Sequence, residues 1–282
     1  MNYKWYKQGN ELLNEIRNTS LSRDFFCFWY LGQMGIIGKW GDVTFAIDLV
    51  LNDLVNQDGM SRRNYAPPFM PSAMDCIDLF LCTHNHLDHL NLETLSPLLT
   101  SSPNMRVIVP KPVVAFCVES KIPEKILIGA NTKEDIVMNN GIIISPIASC
   151  HDLYKTDDNG DDYTLGYHIS FGKYQIYHSG DTLLTNRLIN DVTERGALDA
   201  AFFPINGIDL ERINRGIVGN MDARNAAYFC SQIEADLYIP MHYDMVMKNG
   251  EDPIFFTRYM DEYAPEKRFH ILKLGERVIL HK

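Results

Sequence analysis

The sequence lacks the features that would place it in a membrane or in a secreted, disulfide-bonded scaffold. No stretch approaches the ~18 consecutive apolar residues that a membrane helix needs, and the first twenty residues contain no apolar core of signal-peptide length. None of the six cysteines belongs to a C-x-x-C pair, so neither structural disulfides nor a thiolate metal site is indicated. We therefore expect a cytoplasmic protein with no membrane partner.

Positive charge is also scarce. The chain has 26 Lys and Arg against 36 Asp and Glu, which gives a formal net charge of −10. Because a nucleic-acid partner requires a basic surface, we expect none here. A few basic residues at a pocket would still suffice for a small anionic substrate.

The most informative stretch is T-H-N-H-L-D-H at residues 83–89, which follows a short apolar run at 77–81 and precedes a helix-like segment. Its metal-capable side chains are His84, His86, Asp88 and His89. The first two histidines are two residues apart and face one side of an extended chain, whereas the aspartate and the last histidine follow the turn. Imidazole and carboxylate groups are ligands of divalent zinc, manganese and iron. The spacing suits two metal ions, an arrangement that activates a bridging water for hydrolysis, better than it suits one. The alternative, surface histidines on a polar loop, fits poorly with three histidines and an aspartate within six residues.

Metal-capable side chains recur after other predicted strands. His151 follows the predicted strand 142–148, Asp181 follows the strand 174–178 and a glycine, and His242 follows the strand 236–240. Side chains that follow strand ends can reach a common cleft, so this recurrence supports the metal interpretation more than any one residue does.

The predicted elements begin as antiparallel strands and continue as strand–helix units. Predicted strands are 25–31, 35–39, 43–51, 77–81, 106–110, 142–148, 167–171, 174–178, 198–205 and 236–240, and a last hairpin pairs 269–274 with 277–280. Predicted helices are 7–18, 92 to Pro103, 113–119 and 223–233. The 282 residues fit one large domain or two small ones.

Two features leave two interpretations open. Asp48 lies in an apolar stretch, where it is either the acceptor for a ligand histidine or a strand-end residue that caps a turn. The loop 56–75, rich in proline, methionine and polar residues, either lines a substrate mouth or is an ordinary solvated loop.

The histidine cluster, His151, the S-G-D-T around Asp181 and the P-M-H-Y around His242 together resemble the metallo-β-lactamase superfamily over roughly residues 25–280. The resemblance implies an α/β (α+β) fold, an αββα sandwich of two mixed sheets flanked by helices, formed as a single domain over residues 1–282. It also implies the metal ligands: His84, His86 and His151 for the first ion, Asp88, His89 and His242 for the second, and Asp181 as the bridge.

Shorter motifs resemble the L-ascorbate-6-phosphate lactonase branch of that superfamily. They are L-G-Q-M-G at 31–35, P-I-N-G at 204–207, R-I-N-R-G-I-V-G-N-M at 212–221 and I-P-M-H-Y-D at 239–244. This resemblance implies a hydrolase with two divalent metal ions that opens a lactone or ester such as L-ascorbate 6-phosphate or a related sugar-phosphate lactone. The branch points to manganese, and zinc also suits the ligand set.

The predicted roles of the remaining residues follow from such a reaction. Asp88 or Asp181 would pass a proton to the leaving alkoxide, and Asn206 or Tyr243 would stabilise the oxyanion. Arg212 and Arg215 are either a phosphate clamp or solvated surface residues. The alternative activity is a phosphodiesterase or nuclease with the same dinuclear site, and a metal-loaded sensor without turnover is a further rival. The partner we expect is a small-molecule substrate, and the sequence is compatible with a homo-oligomer.

Overall fold

The structure is a computed structural model that describes residues 3–55 and 60–282, and thirteen strands and seven α-helices lie within these residues. The strands are β1 Phe25–Tyr30, β2 Ile36–Trp40, β3 Val43–Ile47, β4 Leu79–Leu81, β5 Arg106–Pro110, β6 Leu127–Ala130, β7 Ile136–Val137, β8 Ile142–Ala148, β9 Leu165–Phe171, β10 Tyr174–His178, β11 Ala200–Pro204, β12 Tyr238–Met241 and β13 Arg277–His281. The helices are α1 Gly9–Asn18, α2 Leu92–Ser101, α3 Val114–Glu119, α4 Asn186–Thr193, α5 Leu210–Asn214, α6 Ala223–Gln232 and α7 Pro253–Tyr263. None of these helices has the length and apolar character needed to span a bilayer.

The chain divides into two compact units. The first comprises Met1–Gly129, Met245–Met247 and Leu272–Lys282, and the second comprises Ala130–Asp244 and Lys248–Ile271. A single domain over residues 1–282 stays a prediction, since compact units within a chain can belong to one domain.

A seven-stranded mixed sheet, in the order β13-β1-β2-β3-β4-β5-β6, is built mainly from the first unit. Strands β13, β1, β2 and β3 pair antiparallel, whereas β3, β4 and β5 run parallel. Because β3 pairs with β4 so that Ile47 lies opposite Leu81, the residues that follow both strands emerge at the same edge of the sheet. Asp48 and Thr83 are therefore brought together by the sheet register.

The second unit contains a six-stranded mixed sheet in the order β12-β11-β10-β9-β8-β7. Strand β9 is antiparallel to β8 and β10, and β10, β11 and β12 are parallel, so β8, β10, β11 and β12 all run in one direction. Their carboxyl ends lie at one edge of the sheet, which is where ligand-binding residues of such sheets tend to lie. His151, Asp181, Asn206 and His242 follow these four ends.

Apolar packing in the second unit holds this sheet against its helices. Buried aromatic side chains of β11, α6 and α7 contact one another, with the Phe203 ring 6.0 Å from Phe229 and 5.8 Å from Phe256. Small residues on α6, Ala226 and Ala227, are buried in the same cluster and let the helix approach closely.

The two mixed sheets with flanking helices confirm the predicted fold class. The last predicted hairpin is wrong. Strand β13 pairs antiparallel with β1, and Phe269 instead makes a parallel bridge to Tyr238 and packs edge-on against Phe256, with ring centroids 5.5 Å apart. The aromatic contact attaches this segment to the second sheet, which the local alternation of residues did not reveal. Strands β6 and β7 and helices α4, α5 and α7 are further elements that were not predicted from the sequence.

The predicted loop 56–75 is described only in part, because residues 56–59 lie outside the described residues. Its remaining part is partly packed. Arg63 is buried, and its Nη1 donates to the carbonyl oxygens of Val50 at 3.2 Å and Asn52 at 2.9 Å. A solvated loop therefore does not describe this arginine, which fixes the loop to the chain after β3.

Candidate metal centre

The histidine cluster forms a tight turn between β4 and α2. The amides of His89 and Leu90 both donate to the carbonyl of His86, at 3.0 and 2.8 Å. Asn91 then caps α2, because its Oδ1 accepts from the amide of Thr94 at 2.9 Å and its Nδ2 donates to Leu87 at 3.1 Å. Hydrogen bonds of the backbone and of the Asn91 side chain thus fix the carboxyl-terminal half of the cluster.

Asp48 is a fully buried carboxylate that organises this turn. It accepts hydrogen bonds from the Thr83 amide at 2.8 Å, from Thr83 Oγ1 at 2.7 Å and from His89 Nδ1 at 2.7 Å. Since an ionised carboxylate only accepts, His89 carries a proton on Nδ1 and presents Nε2 on its other side. Of the two interpretations of Asp48, the histidine acceptor is the one that these contacts support.

The other imidazoles of the cluster lie close to His89. The His84 ring is 4.1 Å from the His89 ring and 4.6 Å from the His86 ring, measured between centroids. His84 Nδ1 lies 3.1 Å from Thr83 Oγ1, so Thr83 contacts both Asp48 and His84. This packing brings three imidazoles together at one end of the first sheet, as the spacing predicted.

Asp88 completes the cluster in the first unit. Its Oδ2 lies 3.8 Å from His89 Nε2 and accepts a hydrogen bond from Gln33 Nε2 at 2.7 Å. Gln33 was not predicted as a site residue, although it belongs to the L-G-Q-M-G motif. No local signal reveals this contact, because the two residues are 55 positions apart.

In the second unit, the carboxylate of Asp181 faces two histidines. Its Oδ1 lies 3.1 Å from His242 Nε2, and its Oδ2 lies 3.7 Å from His151 Nε2. Asp181 and His242 are buried, and His242 adopts a positive φ of 60°, which is uncommon for a residue with a Cβ atom. Each carboxylate oxygen thus has its own histidine neighbour.

Hydrogen bonds between loops fix Asp181 relative to His151. Thr182 Oγ1 accepts from the Cys150 amide at 3.1 Å, and the Leu183 amide donates to the Cys150 carbonyl at 2.7 Å. The Met221 amide donates to the Thr182 carbonyl at 2.8 Å. Hydrogen bonds therefore connect residues that flank the two predicted ligands, His151 and Asp181.

The four predicted substrate-binding residues lie in the second unit, and three of them are buried. Asn206 Oδ1 accepts from Asn220 Nδ2 at 3.1 Å, and its carbonyl accepts from Arg212 Nη1 at 2.6 Å. Arg212 Nε also donates to Asp209 at 2.6 Å. Tyr243 belongs to the hydrophobic cluster of the unit, whereas Arg215 is exposed. Their roles toward a substrate stay predictions.

The donor set of the chain fits a divalent transition metal. Within the described residues, seven side chains belong to groups of three His or Asp that could hold a metal ion. They are His84, His86, Asp88, His89, His151, Asp181 and His242. These are the seven residues that the sequence analysis named as ligands. Five imidazoles and two carboxylates suit zinc, manganese or iron, and the hydrogen bond that His89 Nδ1 donates to Asp48 is the kind of contact that orients a histidine ligand.

Comparison with known proteins places the chain in a family. The family model described as a beta-lactamase superfamily domain matches residues 45–243. A UPF0173 metal-dependent hydrolase of Caldivirga maquilingensis is 26% identical over 246 residues, which are 86% of this chain and 97% of that protein.

Solved structures share the fold. Igni18, a metallo hydrolase from Ignicoccus hospitalis, matches with a TM-score of 0.69 at 19% identity and covers 92% of this chain and 99% of its own. The isothiocyanate hydrolase from Delia radicum gut bacteria matches with a TM-score of 0.69 at 15% identity, over 91% of this chain and 100% of its own. With a family model that spans more than half of its length, the chain belongs to the metallo-β-lactamase superfamily.

Proposed function

We propose that this hydrolase opens the ring ester of a small lactone, with a sugar-phosphate lactone such as L-ascorbate 6-phosphate as the leading substrate class. The observation that carries the hydrolytic part is the Asp181 carboxylate, which directs one oxygen toward His242 and the other toward His151. The lactone part rests on the motifs at 31–35, 204–207, 212–221 and 239–244, which resemble the lactonase branch.

The proposed metal centre contains two divalent ions, manganese or zinc. His84, His86 and His151 would hold the first, Asp88, His89 and His242 the second, and Asp181 both. When bound, such ions supply Lewis acidity and lower the pKa of bound water towards ~7. The binding of these side chains to a common pair of ions is part of the proposal.

The protein must also deliver a proton to the leaving group. In lactone hydrolysis, the water oxygen bonds to the carbonyl carbon and gives up a proton, the ring C–O bond breaks, and the departing alkoxide takes up a proton. Asp88 is the better candidate to take the proton from the water and pass it to the alkoxide, because its side chain is 21% exposed, against 5% for Asp181. A carboxyl group with access to substrate can exchange protons with it, whereas a buried bridging carboxylate serves mainly as a ligand.

The test is a substrate panel with purified, metal-loaded protein. It contains a sugar lactone with and without a phosphate, bis-p-nitrophenyl phosphate, and an isothiocyanate because one fold neighbour acts on that class. We expect turnover of the lactones. Turnover of the phosphodiester alone would favour the nuclease alternative, and no turnover of any compound would favour a ligand-binding role.

Ligand variants connect the activity to the proposed centre. Asp181→Ala and His86→Ala should each abolish lactone turnover and lower the metal content measured by elemental analysis, while the far-ultraviolet circular dichroism spectrum is retained. His281→Ala, an exposed histidine of β13 outside the candidate groups, is the matched control and should change neither quantity. Full activity in either ligand variant would contradict the assignment.

A further inference from the structure

We infer that Gln33 is a positioning residue, which holds the carboxylate of Asp88 in the orientation that binds metal. The inference rests on the proposed role of Asp88 as a ligand. Gln33 is 1% exposed, and its Nε2 donates to Asp88 Oδ2 across 2.7 Å. An ionised carboxylate offers only acceptors, so the contact fixes which end of the amide faces Asp88.

The turn between β1 and β2 is shaped to present this side chain. Tyr30 pairs with Ile36, and the Leu31 amide donates to the Gly35 carbonyl at 2.8 Å, which closes the turn. The Gln33 carbonyl accepts from Tyr30 Oη at 3.4 Å. These contacts fix the backbone of Gln33 relative to the turn and to β1. The fixed backbone in turn orients the side-chain amide of Gln33.

The backbone conformation of Gln33 indicates that this position requires a glutamine side chain. Its φ is 56°, in the left-handed region that favours glycine. A neighbouring turn residue, Gly32, has a φ of 90°, and a Cβ atom there would lie 2.0 Å from Tyr65 Oη. Glycine is therefore found at the turn position where a Cβ atom would clash. Gln33 has a side chain despite its positive φ, which indicates that the amide of that side chain is required.

The amide limits the freedom of Asp88. With its side chain 21% exposed, the carboxylate has room to rotate toward solvent. The bond from Gln33 and the 3.8 Å separation from His89 Nε2 keep Oδ2 on the side of the imidazole. Partners of this kind, which hydrogen-bond a ligand without touching the ion, typically change metal affinity 10–100-fold when they are removed.

The experiment measures zinc binding by competition with a chromogenic chelator, together with the visible spectrum of the Co²⁺-loaded protein, on the full chain. Gln33→Met removes the donor at similar length, and Gln33→Gly removes it while relieving the positive φ. Met34→Leu, at a buried position of the same turn, is the matched control. We expect both Gln33 variants to bind at least one zinc ion about tenfold more weakly or worse, with an altered Co²⁺ spectrum, and the control to match the wild type.

Gln33→Gly separates positioning from folding. It relieves the positive φ, which offsets part of the cost of removing a buried side chain. Zinc binding is measured at a temperature at which circular dichroism shows each variant folded, and the folded Gln33→Gly protein should still bind zinc weakly, which a purely structural role would not produce. Asp88→Ala is the benchmark. If Asp88→Ala weakens zinc binding while both Gln33 variants match the wild type, the inference is overturned and the ligand assignment stands. If Asp88→Ala leaves zinc binding unchanged, the ligand assignment fails and the inference fails with it.

Discussion

At the scale of single residues, the candidate centre depends on which nitrogen each histidine presents. Asp48 accepts from His89 Nδ1, and Thr83 Oγ1 contacts His84 Nδ1, so both imidazoles have their Nδ1 side occupied. Each of these rings therefore presents its other nitrogen, Nε2, on the side opposite to that contact. Hydrogen bonds to the far nitrogen fix both the tautomer and the ring orientation of a metal ligand.

We expect Asp48→Asn to damage the centre through His89. Asparagine tolerates the positive φ of 47° at this position, so the substitution changes the side-chain chemistry and not the backbone. One of its two polar atoms becomes a donor and faces the donors of Thr83 or His89, which should lower the free energy of unfolding by about 1–3 kcal/mol. Metal affinity should fall about 10–100-fold by chelator competition.

Asp78→Asn is the matched control for this prediction. Asp78 also accepts a backbone hydrogen bond, from the Thr44 amide at 2.8 Å, but it lies at the other end of β4 from the histidine cluster. The control should alter stability without changing metal affinity. Equal metal affinity in Asp48→Asn and the wild type would remove the positioning role of Asp48.

At the scale of elements, the sequence predicts a site residue well when its signal is local. The histidine cluster falls within seven residues after an apolar run, and the residues after β8, β10 and β12 stand out because polar metal ligands follow apolar strands. The strand ends could therefore be predicted from local patterns, whereas the fold class was predicted from the resemblance of these motifs to the metallo-β-lactamase superfamily. Asp48 was detectable for a related reason, as a carboxylate in a buried run.

Contacts between distant elements escaped the sequence analysis for a physical reason. Gln33 lies in a turn that reads as a plain glycine-rich connection, and only the folded chain brings it to Asp88. The segment that begins at Phe269 has the alternation of polar and apolar residues that is typical of a strand. In the structure, however, the Phe269 ring packs on Phe256 and the Phe269 backbone bridges to Tyr238. Pairing across long sequence separation is decided by packing, which local patterns do not contain.

Helix α5 distinguishes the two arginines that were predicted as a phosphate clamp. Arg212 is buried and donates to Asp209 and to the Asn206 carbonyl, so it connects the short helix to the end of β11. Arg215 is exposed, and its Nη1 makes a long contact of 3.4 Å with the Lys248 carbonyl. Of the two, Arg215 is the guanidinium that remains accessible to a phosphate.

We therefore expect different kinetic effects from the two arginines. Arg215→Ala should raise KM for a phosphorylated lactone about tenfold, roughly 1.4 kcal/mol, and leave the dephosphorylated analogue unchanged. Arg212→Ala should impair both substrates alike, because it removes the bonds that hold Asn206. Steady-state kinetics on the substrate pair measures the difference, and a selective loss of the phosphorylated substrate in Arg212→Ala alone would restore Arg212 as the clamp.

At the scale of the whole molecule, charge and buried ionisable groups determine how stability depends on pH. The chain carries a formal net charge of −10, so mild acid reduces its self-repulsion. Buried histidines act in the opposite direction when burial favours their neutral form. His168 on β9 is such a residue, since burial lowers the pKa of its imidazole, with a smaller opposing contribution from its hydrogen bond to Gln175 at 3.0 Å.

The sign of the effect follows from proton linkage. With its pKa lowered in the folded state, His168 binds fewer protons when folded than when unfolded, once the pH falls below the ordinary histidine pKa of ~6.5. Its contribution to stability is complete above that pH and is lost as the pH falls toward the folded-state pKa. Arg195 lowers this pKa further and Asp135 raises it, so the net direction is set mainly by burial.

We expect the unfolding free energy of His168→Gln to fall less steeply with decreasing pH than that of the wild type. Glutamine keeps a donor for Gln175 but does not titrate, so the fall in unfolding free energy between pH 7.5 and pH 5.5 should be smaller than in the wild type. One proton changes the slope by at most about 1.4 kcal/mol per pH unit. Urea unfolding at several pH values measures it, with His281→Gln on exposed β13 as the control. Parallel curves for His168→Gln and the wild type would contradict the assignment, because the acid sensitivity would then arise elsewhere in the molecule.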